Sequence, residues 1–446
     1  MPPHVHPPEA SLSTLGFVSR FVRNPLLVVP AAAYREDFVA TSRGHLSTAW
    51  VTSPELVRAV LLEQKDVFRK RTQIRLLSPL LGKGLLTSEG ADWKWQRQAA
   101  APMFRHEDLL SFVPAFVRAT QALLERWRAS GEDGERAIDA DMTRVTFDVI
   151  SATLLPSADG SAGLAIERST RQFQSAGAWA QLYAMARMPR WVPYPGRARS
   201  ARLVAGMRGA VASLLAERRT AARPPDDLLA RLMAAADPES GQRMNDAQLV
   251  DNLLTFYLAG HETTARALTW TLYLLSRSPE WAGRLDAEIA RVTGGGDVQP
   301  EHVEQLEMVQ QVIKESMRLY PPVPMLSRQA VADTRIGPHE IRAGTSAIVP
   351  IYAAHRHRAR WEDPDRFDPG RFARAREAAM PRYQYLPFGA GPRICIGMAF
   401  AMIEATVILA TLLQRAHFAP TDHEPQPVAR VTLVPRGGMP LYVRVN

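Results

Sequence analysis

Cysteine and lysine are scarce in this sequence. Cys395 is the only cysteine among the 446 residues, which excludes a disulfide framework within the chain and any zinc site built on several thiolates. So little cysteine is typical of a reducing compartment, and we expect a soluble, cytoplasmic protein. Only five of the 54 basic residues are lysines, so arginine supplies nearly all of the positive charge.

The sequence also lacks a long uninterrupted apolar segment. Residues 1–10 contain prolines and no apolar core of the kind that a signal peptide needs. Leu26–Ala33 is too short to cross a bilayer, and Leu253–Leu275 is interrupted by Glu262 and Arg266. A buried helix of a large domain explains the last segment better, so no membrane span is expected.

Positive charge exceeds negative charge but is not concentrated in one segment. The formal net charge is +9, with arginines spread along the whole chain. Dispersed charge is typical of a solvated surface, so nucleic-acid binding is not expected. A basic face that docks an acidic protein partner explains the surplus at least as well.

Composition and patterning predict one large globular domain. Hydrophobic residues make up 46% and charged residues 22% of the chain, as in ordinary globular proteins. We expect a single domain over residues 1–446, with residues 1–35 as an N-terminal arm packed on the rest. The predicted fold class is mainly α with small β-sheets, an α+β mixture, because helical periodicity dominates and the strand signals are short.

Capping residues and apolar periodicity place the main elements. Asn245 is expected to cap a helix over Asp246–Ser276 that ends before Pro279, and at 1.5 Å per residue this helix would be about 46 Å long. Further helices are predicted over Leu109–Ser130, Arg202–Ala222, Asp227–Ala236, Leu306–Leu319 and Met398–Gln414. Strands are predicted over 47–51, Thr334–Ile336, Ser346–Ile351, Arg430–Val434 and Leu441–Val445, and breaks between helices at Pro224–Pro225 and Pro238–Gly241.

The segment Phe388–Gly397 contains the only cysteine, and its three glycines allow sharp turns and a close approach to another group. Cys395 precedes the helix predicted from Met398, and the free N–H groups at a helix start favour a thiolate. Such a thiolate is a metal ligand or a nucleophile, although the segment offers no histidine to act as the base of a nucleophile. The glycines and Arg393 argue against an inert structural cysteine, which is the usual role of a lone cysteine.

This segment resembles the haem-binding loop of the cytochrome P-450 family, FxxGxRxCxG, at every defined position. By that resemblance Cys395 is the axial thiolate ligand of the iron of haem b, and Arg393 pairs with a haem propionate. Phe388, Gly389 and Gly397 would complete the loop around the haem. The resemblance covers about residue 40 to the end and implies the family's helical prism with small β-sheets, which encloses the haem.

Residues 259–264, AGHETT, lie in the middle of the long predicted helix. Ala259 and Thr263 share a face because they are four residues apart. Gly260 costs about 1 kcal/mol relative to alanine in a helix, and small residues here would leave room for a flat cofactor and a diatomic ligand. The segment resembles the family's AGx(D/E)T(T/S) motif, which assigns proton delivery to iron-bound dioxygen to Glu262 and Thr263. From these residues alone, the favoured interpretation is a surface ion pair between Glu262 and Arg266, with Thr263 as a packing residue.

Glu315 and Arg318 lie one helical turn apart, an everyday spacing for surface pairs. In its position before Pro321, the pair resembles the family's ExxR motif, which is buried and meets an arginine from a PERF-like segment. Here that segment is Pro369–Phe372, with Gly370 in place of the family's glutamate and with Arg371 retained. The resemblance implies a structural network of Glu315, Arg318 and Arg371.

Trp93 and Arg97 lie on one face of a predicted helix, where two donors suit a carboxylate, although an isolated pair is more often an aromatic residue beside a solvated arginine. The pair resembles the family's WxxxR helix, which binds a haem propionate. Arg328 and, with less support, His355 are further propionate partners by resemblance. A metal clip at His355 and His357 is not expected, because no third ligand lies nearby in the sequence.

By the same resemblance, substrate would lie above the haem against a mostly apolar wall. The residues expected in this pocket are Ala259, Thr263, Val323, Met325 and Leu326. An apolar wall favours a lipophilic substrate, although a helical core stripe gives the same pattern.

The resemblance implies a haem-thiolate monooxygenase that inserts one oxygen atom of O2 into a small lipophilic substrate, by hydroxylation or a related oxidation. Electrons would come from NAD(P)H through a ferredoxin or flavodoxin with its reductase, because the chain ends soon after the haem region, and the protein is expected to be a monomer. One alternative is a peroxide-driven peroxygenase, a class that usually lacks the acid–alcohol pair. Another is a haem sensor or carrier, which needs no proton relay beside the iron.

Overall fold

The computed structural model describes residues 2–10, 12–44, 46–131, 133–154, 177–186, 188–189, 191–193, 195–220, 227–237 and 239–446. The predicted break at Pro224–Pro225 lies outside these residues, as do Pro238 and the predicted helix end at Ala222. Helices dominate the described residues and the strands form small sheets, so the predicted α+β class is confirmed.

The α-helices are numbered in chain order over the described residues. They are α1 Thr14–Arg23, α2 Pro54–Arg58, α3 Arg71–Leu81, α4 Gly90–Ala100, α5 His106–Leu110, α6 Val113–Ala129, α7 Ile138–Leu154, α8 Gly177–Met185, α9 Arg197–Thr220, α10 Leu228–Ala234, α11 Asp246–Ser276, α12 Pro279–Thr293, α13 Glu307–Leu319, α14 Ile351–Ala354, α15 Arg374–Ala379 and α16 Met398–Leu413.

The strands are short and mostly antiparallel. They are β1 Phe38–Arg43, β2 Leu46–Val51, β3 Phe68–Arg69, β4 Asp133–Ala137, β5 Leu326–Ala330, β6 Thr334–Ile336, β7 His339–Ile341, β8 Ser346–Val349, β9 Ala416–Pro420, β10 Gln426–Ala429, β11 Leu433–Arg436 and β12 Pro440–Val445. The largest sheet has the order β1-β2-β8-β5-β3, and β4, β12 and β9 form another. β10 and β11 form a separate two-stranded hairpin, as do β6 and β7.

The predicted long helix is confirmed as α11. Asn245 accepts a hydrogen bond from the Gln248 backbone N–H, and the Gln248 side chain accepts one from the Asn245 N–H, which is a capping box. The main hydrophobic core surrounds α11 and includes most of α16, which is almost entirely apolar. Buried on nearly all sides, α11 is the fixed element against which the rest of the fold packs.

The helix predicted from Arg202 begins at Arg197, and two other predicted elements are wrong in detail. The helix predicted over Leu109–Ser130 is divided, because Pro114 lies in the first turn of α6, where its missing N–H is tolerated. The strand predicted over Arg430–Val434 straddles the turn of the β10–β11 hairpin, in which Ala429 pairs with Leu433. Residues 430–432 are therefore the tip of the hairpin rather than part of a strand.

The N-terminal residues lie against the rest of the fold through specific hydrogen bonds. The Asn24 side chain donates to the Pro427 carbonyl and accepts from the Ala429 N–H, both at 3.0 Å. The Tyr352 hydroxyl accepts from the Val5 N–H at 3.2 Å. These contacts tie the first thirty residues to β10 and α14.

Candidate functional site

The cysteine lies in a loop that closes on itself. The Cys395 N–H donates to the Phe388 carbonyl at 3.0 Å, while Gly389 and Gly391 have φ angles of 71° and 69°. A Cβ atom at Gly391 would lie 2.3 Å from the Leu61 carbonyl oxygen, so this position requires glycine. The loop is thereby pressed against residues 59–63, and it places Cys395 two residues before the cap of α16.

The Cys395 sulfur is accessible and yet lies among many protein atoms. The residue has accessible surface, yet burial among protein atoms raises the pKa of its thiol, while the Gly397 N–H and the Arg97 guanidinium act in the opposite direction. The Gly397 N–H acts in the direction expected of a helix start, but desolvation outweighs it. The positive charge of a coordinated metal ion would shift the balance to the thiolate.

The middle of α11 is open on one face. From Leu249 to Ser276 every residue is buried except Leu258, Ala259, Gly260 and Thr263. Ala259 is exposed although it lies halfway along a core helix. Because Ala259 and Thr263 are four residues apart, they border the same cleft.

Phe104 connects this face of α11 to the cysteine loop. Its ring lies 3.8 Å from the position that a Cβ atom of Gly397 would occupy, and it contacts the Phe256 ring edge-on at a centroid distance of 5.7 Å. Phe256 lies one helical turn before Ala259. The sulfur and the Ala259–Thr263 face therefore border one region between α11 and the cysteine loop.

Trp93, Arg97 and Arg393 come together beside the cysteine. The Arg393 guanidinium lies 4.0 Å from the centroid of the Trp93 ring, and Arg97 donates to the Ile394 carbonyl at 3.0 Å. Burial is the main cause that lowers the pKa of Arg393 to about 10. Its Nη1 atom is buried without a hydrogen-bond partner among the described residues, so its N–H groups can donate to a bound anion.

Arg328 and Lys70 extend this group of buried cations. Burial lowers the pKa of Arg328 to about 10 and lowers that of Lys70, on which Arg328 and Arg393 act as neighbouring positive charges. Glu89 is the acidic residue that opposes these shifts. Sequence reasoning missed Lys70, because a lysine after a two-residue strand has no distinguishing pattern.

These residues fit a haem. The accessible sulfur of Cys395 lies in the same region as the face of small residues on α11. The buried cations outnumber the nearby acid, Glu89, and can therefore pair with the two propionates of a haem. Cys395 would hold the iron, and Trp93, Arg97, Arg328 and Arg393 would hold the propionates together with Lys70. Among the described residues no group of three or more His, Cys, Asp and Glu side chains could hold a metal ion by itself.

Glu315, Arg318 and Arg371 form a buried network. Arg318 Nε donates to Glu315 Oε2 at 2.6 Å and Nη2 donates to Oε1 at 2.8 Å. Arg371 Nε lies 3.5 Å from Glu315 Oε1, and the Asp368 N–H donates to the same oxygen at 2.9 Å. The backbone N–H of Asp368 therefore supplies a donor next to the segment in which Gly370 replaces the family's glutamate.

His355 does not face the cleft, which corrects its assignment as a propionate partner. The ring is fully enclosed, and its Nε2 accepts a hydrogen bond from the Leu386 N–H at 2.8 Å. It stacks on the Tyr385 ring with a centroid distance of 5.2 Å. Burial lowers the pKa of His355 to about 3, so the neutral ring belongs to the packing around Arg318.

Gly260 has a packing role that the sequence did not indicate. A Cβ atom there would lie 3.0 Å from Ile150 Cδ1, so the glycine allows α7 to approach α11 closely. This contact faces α7, whereas Ala259 has accessible surface on the open face of α11. A larger side chain at 260 would require the Ile150 side chain to shift.

Glu262 and Thr263 point in different directions from adjacent positions. Thr263 Oγ1 donates to the Ala259 carbonyl at 2.6 Å on the open face. Glu262 is buried, and its Oε1 accepts from Arg266 Nε at 2.9 Å. The Glu262–Arg266 ion pair exists, but it is a buried pair rather than a surface one.

The predicted pocket residues of the Pro321–Leu326 segment are partly accessible. Val323, Met325 and Leu326 have intermediate exposure, whereas Pro321, Pro322 and Pro324 between and before them are buried. Leu326 Cδ1 lies 3.6 Å from the position of a Cβ atom at Gly389. The segment therefore borders the cysteine loop.

None of the helices in the described ranges combines the length and the apolar character that crossing a lipid bilayer requires.

Comparison with known proteins identifies the family. The Cytochrome P450 family model matches residues 24–440. Cyclooctat-9-en-7-ol 5-monooxygenase of Streptomyces melanosporofaciens is 33% identical over 411 residues, which are 92% of this chain and 88% of that protein. A cytokinin hydroxylase of Arabidopsis thaliana is 32% identical over 413 residues, which are 88% of this chain and 78% of that protein. The crystal structure of the cytochrome P450DA heme domain matches with a TM-score of 0.83 at 27% identity, over 99% of this chain and 98% of that one.

The fold and these matches define a haem enzyme built as a helical prism with small sheets. The chain belongs to the cytochrome P450 family, and it is a cytochrome P450 monooxygenase. Haem iron is the cofactor that the family implies.

Replacing Lys70 by methionine is expected to weaken haem retention. A hydrogen bond to a charged group is worth about 1.5 kcal/mol or more, so haem transfer to apomyoglobin should become roughly tenfold faster. Lys70 Nζ also donates to the Leu86 carbonyl at 2.7 Å, so the unfolding free energy is measured in parallel. The exposed Lys65, changed to methionine, is the matched control. Unchanged haem transfer in a stably folded Lys70→Met protein would remove Lys70 from the haem site.

Replacing Glu404 by glutamine is expected to flatten the dependence of stability on pH. Glu404 on α16 is almost fully buried, with a hydrogen bond to Thr264, and burial raises its pKa to about 8. The folded protein therefore binds more protons than the unfolded chain between about pH 4.5 and 8, so stability falls as pH rises through that interval. Denaturant unfolding from pH 5 to 9 checks this, with the exposed Glu125→Gln as control. Parallel curves for wild type and Glu404→Gln would contradict the assignment.

Proposed function

We propose that this enzyme inserts one oxygen atom of O2 into a small lipophilic organic substrate, by hydroxylation or a related oxidation. The observation that carries the proposal is the exposed Ala259–Thr263 face of α11, which borders the same region as the accessible Cys395 sulfur. Relatives named as a monooxygenase and a hydroxylase support the reaction class.

The residues of this chain would bind the haem and move protons beside it. A haem iron with a cysteine ligand supplies the activation of dioxygen, because the thiolate donates electron density to the iron. Cys395 binds the iron, and the cations around Arg393 bind the propionates. Thr263, whose hydroxyl now donates to the Ala259 carbonyl, can turn this donor towards a ligand in the cleft. Glu262 takes up a proton from water and passes it to that hydroxyl from the buried side of the helix.

Lipophilic substrates are proposed because the residues that border the cleft are mostly apolar. Ala259, Val323, Met325 and Leu326 present no charged group, and Thr263 satisfies its own hydroxyl. A screen of lipophilic compounds for displacement of the iron-bound water, followed by product analysis of the binders, tests the substrate class. Binding confined to charged compounds would contradict it.

Electrons are proposed to come from NAD(P)H through a separate ferredoxin or flavodoxin with its reductase. The net charge of +9 supports an acidic partner, and the single cysteine supports a reducing, cytoplasmic setting. Reconstitution with NAD(P)H and a ferredoxin system should give product, at a rate that falls as salt rises. Product formed only with hydrogen peroxide would indicate a peroxygenase, and the absence of product with either would indicate a haem sensor or carrier.

Replacing Thr263 by alanine is expected to uncouple electron use from product formation. The hydroxyl lies on the open face, whereas folding depends on the buried faces of α11, so haem content and substrate affinity should be retained. Product per NAD(P)H should fall severalfold and hydrogen peroxide should rise. Thr269→Ala, on a buried part of the same helix, is the control for general damage to α11. Unchanged coupling would show that water or Thr264 supplies the proton instead.

A further inference from the structure

The tip of the β10–β11 hairpin, residues 430–432, contacts α11 at the acid of the acid–alcohol pair. Thr432 Oγ1 donates to Glu262 Oε1 at 3.0 Å. The hairpin is held in this position by Leu433, whose carbonyl accepts from the Trp270 indole N–H at 3.2 Å and whose N–H donates to the Pro322 carbonyl at 2.9 Å. A distant part of the sequence thus supplies a hydroxyl to Glu262.

Thr432 and Arg266 donate to the same carboxylate oxygen. Arg266 Nε lies 2.9 Å from Glu262 Oε1, and Thr432 is only 4% exposed. Two donors on one buried oxygen, one of them charged, fix both the ion pair and the side-chain rotamer. The orientation of Glu262 is therefore set by the hairpin as well as by its own helix.

This orientation directs Glu262 away from the cleft. Adjacent residues of an α-helix point about 100° apart, and Thr263 has accessible surface while Glu262 has almost none. To exchange a proton with Thr263, the carboxylate must leave the Thr432 hydroxyl. Other titratable groups nearby have their own contacts: His261 bonds to the Tyr257 carbonyl, Glu404 to Thr264, and Arg430 of the hairpin tip to the Arg23 carbonyl.

We propose that Thr432 is a positioning residue that holds Glu262 on the hairpin side of α11 between proton transfers. The inference rests on the proposed function of Glu262 as the acid of the relay. The hairpin tip then sets how readily the acid reaches Thr263, and a displacement of the tip releases it.

A double-mutant cycle tests the contact without any turnover. Thr432→Val removes the hydroxyl and keeps the shape of the side chain, and Glu262→Gln removes the charge of the carboxylate. In the haem-loaded protein, Thr432→Val should lower the folding equilibrium constant about tenfold when Glu262 is present, and about twofold in the Glu262→Gln background. Thr432→Ser should restore the wild-type value. Equal effects of Thr432→Val in both backgrounds would overturn the proposal.

Turnover separates positioning from a merely structural hydrogen bond. With NAD(P)H, a ferredoxin and its reductase in air, Thr432→Val should consume NAD(P)H at least twice as fast as wild type, because Arg266 is then the only one of the two donors that holds the acid. Thr432→Ser should behave as wild type, and Thr432→Val should have no effect in the Glu262→Gln background. A slower Thr432→Val enzyme, or one indifferent to Glu262, would overturn the positioning role. A wild-type protein that consumes no NAD(P)H would instead overturn the proposed function. The double-mutant cycle on stability would still test whether Thr432 and Glu262 interact.

Discussion

Replacing Cys395 by serine is expected to abolish the strongly red-shifted carbon monoxide band of the reduced protein, together with all oxygenase activity. The loop should keep its shape, because the bond that closes it runs between backbone atoms, from the Cys395 N–H to the Phe388 carbonyl. What changes is the ligand: a hydroxyl lacks the electron donation of a thiolate to iron. The loss should therefore be complete rather than partial.

The carbon monoxide difference spectrum and the haem content of purified protein check this result together. Met398→Leu is the matched control, because Met398 is 40% exposed, three residues away, and carries the neighbouring sulfur. It should keep the band. A surviving band in a haem-loaded Cys395→Ser protein would show that another residue binds the iron.

Local signals predicted the parts of the fold that depend on local interactions. The capping box at Asn245, the apolar periodicity after it and the proline beyond its end place α11 correctly at both boundaries. The start of α16 at Met398 follows in the same way from its apolar run. Helix caps and periodicity act within a few residues, so a sequence contains all the information that they need.

Elements that depend on distant partners were predicted less well. Residues 430–434 have the apolar, β-branched composition of a strand, but the pairing of β10 with β11 places residues 430–432 in a turn. That register depends on contacts that the hairpin makes with α11 through Trp270 and with the arm through Asn24. No pattern within five residues shows such contacts.

In the candidate site too, residues that belong to motifs were predicted, and residues known only from tertiary contacts were missed. Cys395 stands in a motif whose spacing is itself informative, whereas Glu315 and Arg318 were recognised by their position before Pro321, and the structure brings this pair into contact. Lys70 and Thr432 are single residues without a motif, and only burial and tertiary contact reveal them. His355 was predicted as a propionate partner by resemblance, but the structure encloses it in packing that the sequence does not indicate.

Truncating Arg318 is expected to cost about 3–5 kcal/mol, enough to yield aggregated or haem-free protein, because it leaves a buried carboxylate without its partner. Arg318 is fully buried. Besides its two bonds to Glu315, its guanidinium donates to carbonyls at 2.7–2.9 Å, those of His355, Pro364 and Arg366. It also lies 5.0 Å from the centroid of the Trp361 ring. One side chain thus joins α13 to the segment that leads to the cysteine loop.

Urea unfolding and haem content of Arg318→Ala, compared with Arg371→Ala, measure this cost. Arg371 is more peripheral, with a side chain 12% exposed and its Nε 3.5 Å from Glu315, so its loss should cost less than half as much. The double variant Glu315→Gln/Arg318→Met should recover part of the stability, because burial raises the pKa of Glu315 and only the two guanidiniums and the Asp368 N–H oppose that effect. Once the carboxylate is removed, the missing guanidinium no longer leaves a charge unpaired. A folded, haem-replete Arg318→Ala protein with wild-type stability would show that the guanidinium does not hold this segment in place.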